Sequence, residues 1–398
     1  MSPTRAGARY AVTASMTGVA VLAALTGCSS SSNAAADADG GGSPSADTRT
    51  VSVTLTPDTC EPAQDHYPAG PLTFKISNKN ATAVSELELL SDQRIIGEKE
   101  NLPPGFSGSF SLKVDAGTYT LYCPGATDDR AQLTVTGTTT TTSAPTSTKK
   151  ALVKGTKQYG AYINQQAAAL VTGVQKLDDA ITSGNIDAAR TAYAQTRAYY
   201  EHVEPVAESF TIGKKNLDAA IDARAGDVPA SQWKGFHRIE KGLFAADSLK
   251  GLAPYSAELL ANVKKLAKLT KGLTYQPAEL ANGAVALLDE VARTKITGEE
   301  ERYSHIDLLD FQANVEGSQQ AFANLEPGLR EIDPGLTKSI STAFRELNDK
   351  LTHYRASSNP SGFVYYGQLT DKDTTALAHS LQAVAEPLSR VAGKVVRR

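Results

Sequence analysis

Apolar and polar positions alternate in short runs through the first third of the chain. Val51, Val53 and Leu55 are separated by polar neighbours, the period of a strand with one buried face. Leu72–Ile76, Glu86–Leu90, Phe106–Val114, Gly117–Cys123 and Ala131–Val135 repeat the pattern. Turn-forming clusters, Pro-Ala-Gly-Pro at 68–71 and Pro-Pro-Gly at 103–105, separate the runs. Short strands with regular turn signals over residues 50–136 predict a small all-β sandwich.

From residue 150 onward the period changes. Ile163, Ala167, Leu170, Val174 and Leu177 recur at spacings of three and four, one face of a helix. Breaks fall at Gly184, Gly226–Pro229, Gly251–Pro254, Gly272–Pro277 and Pro334-Gly335. That punctuation predicts an all-α domain of about eight helices packed as bundles over 150–398. Residues 137–149, rich in Thr, Ser and Pro, are expected to link the two domains. A weak internal echo relates Tyr200–Pro205 to Phe322–Pro327, and Gly235-Phe236-His237 to Gly362-Phe363-Val364. On that reading the helical domain is a duplicated bundle, and the chemistry sits in the first copy, which alone has Glu201 and His237.

Composition excludes one class of function. Of the 398 residues, 41% are hydrophobic and 21% charged, with a net charge of −3, and no basic field argues for nucleic acid. The N-terminus adds a location. Arg5 and Arg9 precede an apolar run, Ala11–Leu25, too short to span a bilayer, so residues 1–27 read as a secretory signal. The sequence Leu25-Thr26-Gly27-Cys28 resembles a bacterial lipobox, which implies lipidation at Cys28 and an extracytoplasmic, membrane-anchored protein. Residues 28–49, mostly Ser, Ala, Gly and Asp, are expected to be a flexible tether.

Acidic residues crowd the helical domain. Glu201, Glu204 and Glu208 share a helix face, Asp218 and Asp222 follow four apart, and His237 and Glu240 form an HxxE pair. The apolar neighbours Trp233, Phe236, Leu243 and Phe244 turn that pair inward. Carboxylates near a buried face repel and hold protons more tightly, and a bound cation removes the conflict. Carboxylates with one imidazole suit iron, zinc or manganese. Surface ion pairs and solvated faces use the same spacings, so spacing alone does not decide.

In the β-domain, Cys60 and Cys123 each end a strand-like run, and Glu86, Glu88, Glu98 and Glu100 lie between them. Two readings stand side by side: a structural disulfide, which the compartment permits, or a metal site. They are also compatible as two redox states of one site. A blue-copper centre is not expected, because both Met residues precede the domain and His66 is its lone His.

Four stretches in order resemble the imelysin-like family, and within it the EfeO-type iron-uptake lipoproteins. They are Tyr199–Glu208, Leu217–Arg224, Gly235–Glu240 and Gly298–Gly317. The β-domain resembles the cupredoxin-like domain that the longer members carry. The resemblance implies an iron-binding uptake component, passing iron to a membrane permease beside a peroxidase partner. It implies His237, Glu240, Glu201 and Asp218 as metal ligands, and Glu204, Asp222 and Arg224 as further ligands or as groups that orient them. Asp307, Asp310 and Asn314 are either further support or buried helix–helix hydrogen bonds, and His202 and His305 are expected to be structural or exposed. In the β-domain it implies a Cys60, Glu86 and Cys123 site for iron or copper. Zinc remains an alternative metal. The alternative function is a metal-dependent enzyme, a ferroxidase or an imelysin-type metallopeptidase, although no HExxH is present.

Overall fold

The computed structural model describes residues 49–138, 146–212 and 215–397. The expected signal peptide, Cys28 and all of the tether but Arg49 lie outside them. Two sheets form the N-terminal domain. In the first, β1 (Arg49–Leu55) pairs antiparallel with β2 (Cys60–Pro62) and parallel with β4 (Gly70–Asn78), and β4 pairs with β7 (Ser107–Val114). In the second, β3 (His66–Pro68), β9 (Arg130–Thr136), β8 (Gly117–Tyr122), β5 (Leu87–Ser91) and β6 (Arg94–Lys99) lie in that order. Val51, Val53, Leu55, Phe74 and Ile76 meet Leu89, Leu121 and Leu133 in a dry core. This is the two-layer product of alternating strands. Phe74 and Phe110 stack across β4 and β7 with centroids 4.8 Å apart.

Three strands escape the alternation signal. β2 and β3 have three residues each, and β6 (RIIGEK) is charged at both ends. β1 also takes Arg49 from the expected tether.

The C-terminal domain is helical. Its long elements are α1 (Ser147–Thr182), α2 (Ile186–Glu201), α5 (Ala253–Leu269), α6 (Pro277–Arg293), α7 (Asp307–Ile332), α8 (Pro334–Thr352) and α9 (Asp371–Leu388). Short helices α3 (Glu204–Glu208), α4 (Phe236–Glu240) and α10 (Val391–Val395) fill the connections. α1 begins inside the expected linker because the Thr146 hydroxyl accepts the Lys149 amide, an N-cap. Ile163, Leu170, Val174 and Leu177 on α1 are fully buried against the neighbouring helices. The echo is visible locally: Gly235 and Gly362 both take positive φ, and Phe236 and Phe363 after them are fully buried. A helix starts at Phe236 but not at Phe363.

Hydrogen bonds tie the β5–β6 hairpin to the helical domain. Ile95 donates its amide to the Ser209 carbonyl (2.8 Å), and Thr211 donates to the Gln93 carbonyl (2.9 Å). Arg94 pairs with Glu279, Lys99 with Asp289 (3.1 Å), and the Asn282 amide with the Ser111 carbonyl (3.1 Å). No helix among the described residues is long and apolar enough to cross a membrane.

Candidate metal centre

The centre is built from the end of α2, the segment 217–224, α4, the turn 294–306 and the start of α7. Gly235 sets its key helix. Its φ is +85°, and a Cβ there would lie 2.1 Å from the Ile221 carbonyl oxygen. Without one, Phe236 donates its amide to that carbonyl at 2.7 Å, which seats α4 beside Asp222. A single π turn, Lys241–Ala245, follows, a departure common at functional sites.

His237 is 1% exposed. Its Nδ1 lies 3.2 Å from Glu240 Oε2. The other Glu240 oxygen accepts the Tyr303 and Ser304 amides, both at 2.7 Å. Both carboxylate oxygens of Glu240 are therefore engaged in holding other groups. On the far side of the ring, Nε2 is 3.3 Å from Glu300 Oε1 and 3.5 Å from Asp222 Oδ1, with no well-directed hydrogen bond to either. A buried ring nitrogen between two carboxylates is what a cation needs.

Four sets of three donors converge: Asp222, His237 and Glu300; His237, Glu240 and Glu301; Glu201, Glu300 and Asp310; and Glu204, Asp218 and Asp222. The expected quartet Glu201, Asp218, His237 and Glu240 does not meet at one point. Its members are spread over all four sets, and each set contains a residue outside it. Among the described residues, none of the sets includes Cys60, Glu86 or Cys123.

Resident cations hold the acids together. Arg197 is fully buried, and its guanidinium engages Glu201, Asp222, Glu301 (2.9 Å) and Asp310 (3.1 Å). Lys295, also fully buried, places Nζ 3.3–3.5 Å from Glu201, Glu204, Glu290 and Glu300. Arg224 donates to Glu300 at 2.7 Å. Tyr200 donates to Asp218, and Tyr193 to Glu301 at 2.9 Å. Asn314 donates to the Glu201 carbonyl and to Glu204, while Asp307 accepts the Glu301 amide. Asp310 and Asn314 thus take part in the buried hydrogen-bond network, and Asp310 is also a member of a converging set. His202 bridges Gln166 and Glu316 at the edge, and His305 is exposed.

Charge is unevenly distributed. Burial pushes Glu201 up to about 8, against the pull of Lys295 and Arg197. Burial, with Glu240 beside it, pushes Glu301 to about 8, and burial with Asp222 nearby brings Asp218 to about 6. Glu300 and Asp222 go the other way. Burial opposes their ionisation, but Lys295 and His237 hold Glu300 well below the usual range, and Arg197 lowers Asp222. Burial would neutralise His237, yet Asp222 and its hydrogen-bond partners raise it well above its ordinary value. The two acids facing Nε2 are thus the ones held ionised.

Sequence reading missed Arg197, Lys295, Glu300 and Glu301. Arg197 and Glu201 look like an ordinary i, i+4 surface pair. Glu300 and Glu301 sit in a Gly-Glu-Glu-Glu-Arg run typical of solvent-facing turns. Only the apolar flank of Arg197, Tyr193 and Tyr200 one turn to either side, signals burial.

In the β-domain Cys60 and Cys123 are joined in a disulfide and fully buried. Neither sulfur is a thiolate in this state, so the Cys60, Glu86 and Cys123 site is not formed. Burial, with the charge of Glu100, pushes Glu86 up to about 7, and burial, with Glu86 and Glu100, pushes Glu88 up to about 8.

A family model for imelysin matches residues 155–391, and one for a cupredoxin-like domain matches residues 18–135. The iron uptake system component EfeO of Escherichia coli (strain K12) is 38% identical over 352 residues, 87% of this chain and 92% of its own. EfeO of Shigella flexneri matches to the same extent.

The chain belongs to the imelysin family, in its EfeO type. The two matched models account for the sheet-rich first domain and the helical second one. In this imelysin domain the helix that carries His237 and Glu240 lies against Asp222, Glu300 and Glu301.

Proposed function

We propose that this chain is the iron-capturing component of an iron uptake system, with iron as its cargo. The supporting observation is His237. Glu240 fixes Nδ1, leaving Nε2 directed between the ionised Asp222 and Glu300. Two carboxylates and one imidazole make a mainly oxygen donor set, which favours iron over the softer copper. Asp222, His237 and Glu300 are the proposed ligands, with Glu201 and Asp218 at the adjoining sets. Glu240 and Arg224 orient His237 and Glu300, the outer contacts that tune a metal site. Binding displaces the Nε2 proton.

On this reading the chain works outside the cytoplasmic membrane, held by lipid on Cys28, and passes iron to a membrane permease beside a peroxidase. The permease, the peroxidase and the anchor rest on the resemblance to EfeO-type proteins and on the Leu25–Cys28 motif. The test is calorimetric titration of the mature chain with Fe²⁺ without oxygen and with Fe³⁺ citrate in air. His237→Ala is expected to abolish saturable binding, and Glu240→Gln to weaken it by roughly 10–100-fold. Unchanged binding in His237→Ala would refute the assignment.

A further inference from the structure

Lysines without acids cover one side of the helical domain. Residues 147–177, most of α1, hold five lysines and no Asp or Glu. Residues 259–275, the end of α5 and the turn after it, hold four lysines and again no acid, in a chain whose net charge is −3. The two segments lie side by side and antiparallel. Ser256 donates to Asp178 (2.5 Å), Lys264 donates to Gln175 (3.5 Å), and a Cβ on Gly160 would meet the Tyr275 ring at 3.6 Å. Lys150, Lys154 and Lys157 share a face of α1, and Lys264, Lys268 and Lys271 follow the same spacing along α5. All six are exposed, and none has an ion pair among the described residues. Exposed cations elsewhere in the domain do have one: Arg330 pairs with Glu326, and Arg390 with Glu386.

A cleft of about 760 Å³ opens where these segments meet the β-domain. Lys113, Lys149 and Lys157 line it with a single acid, Asp115. Leu152, Val153 and Val396 supply apolar lining, and Val153 is one of the few large apolar side chains left exposed. One further acid, Glu331, stands at the start of α1 and accepts from Ser147 and Thr148.

The described chain starts close by. Arg49 pairs with Leu72, and Leu72 with Leu112, the residue before Lys113. Two strand spacings, about 10 Å, separate Arg49 from that strand. Residues 28–48 lead from Arg49 to the proposed lipid on Cys28. Fully extended, such a segment reaches about 70 Å, so by itself it would let the protein turn any side to the bilayer. It also keeps the protein close, which makes even a weak contact with the surface effectively intramolecular.

We infer that the lysine face of α1 and α5 lies against the anionic headgroups of the membrane and orients the anchored protein. Residue type favours a membrane over a protein partner. All nine cations are Lys and none is Arg, and protein interfaces are enriched in Arg and depleted in Lys. A flexible point charge suits a fluid layer of phosphates, which offers no fixed geometry to match. The inference rests on the lipid-anchored location proposed above.

Its test does not need the anchor. The chain from residue 29 keeps every described residue and carries no lipid, so its binding to vesicles reads the face alone. It is expected to sediment with vesicles of phosphatidylglycerol and phosphatidylcholine in equal parts, and not with phosphatidylcholine alone. Raised salt should release it. A lysine near an anionic surface contributes roughly fivefold to partitioning. A Lys150→Gln, Lys154→Gln, Lys157→Gln, Lys268→Gln variant should therefore bind more than about tenfold more weakly. A control removing the same charge elsewhere, at Lys75, Lys79, Lys250 and Lys372, should bind like the unaltered chain. No sedimentation of the unaltered chain, or equal losses in the two quadruple variants, would overturn the inference. The anchor is judged separately, by whether Cys28→Ser releases the full-length protein from cell membranes.

Discussion

The helical centre and the β5–β6 hairpin both gather carboxylates, but they balance them differently. In the helical centre Arg197 and Lys295 are fully buried among the acids, and Glu300 and Asp222 stay ionised because of them. On the hairpin Glu88 faces Glu98, and the nearby cations Arg130 and Arg293 are exposed to solvent. One cluster is assembled before any metal arrives. The other avoids repulsion by holding protons, which a cation from solution would displace. A buried charge network keeps its geometry only if each member has a partner, so the first suits holding and the second suits brief contact.

The largest way to break this contrast is to remove its central cation. Arg197→Met should destabilise the metal-free chain by about 3–5 kcal/mol, because several buried acids lose their partner. Chemical denaturation measures it, and a loss below about 1 kcal/mol would mean the acids are satisfied without Arg197.

A matched pair of substitutions sharpens the contrast. Glu300→Gln should destabilise the metal-free chain by about 2 kcal/mol, since Lys295, His237 and Arg224 each lose an anionic partner. Above pH 8, where Glu88 is ionised, Glu88→Gln should stabilise it by up to about 1 kcal/mol, since it removes a buried charge that faces Glu98. The same chemical change thus has opposite signs in the two clusters. Equal signs would show that they do not differ in the way described.

The smallest effect is a pH dependence. Glu201, Glu301 and Glu88 titrate near 8, Glu86 near 7 and Asp218 near 6 in the folded chain. All are raised above their unfolded values. Their contribution to stability is complete below those unfolded values and is lost as pH rises through 6 to 8. The metal-free melting temperature should therefore fall by a few degrees over that window, while iron affinity rises as the protons leave. A melting temperature that climbs from pH 6 to 8 would contradict the assignment.

Much of the fold was legible because it follows period. The alternation around Val51–Leu55 and Leu72–Ile76 marks β1 and β4, and the helical spacing of Ile163–Leu177 marks α1. β6 was not legible, because Arg94, Gly97, Glu98 and Lys99 leave only Ile95 buried and no alternation to read. The site was half legible. His237 and Glu240 sit on a short helix flanked by aromatic residues, and Asp222 lies close in sequence. Arg197, Lys295 and Glu300 were hidden because a buried cation and a solvated one have the same sequence. Their burial depends on which helices cross above them, a long-range property no local spacing encodes. The two cysteines were legible as a pair, with a disulfide as one of two readings; choosing between them depends on how β2 and the end of β8 come together across the sandwich.

The most direct test is X-ray absorption at the iron edge of the mature chain loaded with one equivalent of iron. Oxygen donors with a single imidazole, and loss of the imidazole signal in His237→Ala, are the predicted result. Sulfur in the first coordination sphere, or an unchanged spectrum in His237→Ala, would contradict the account and move the site away from the helical centre.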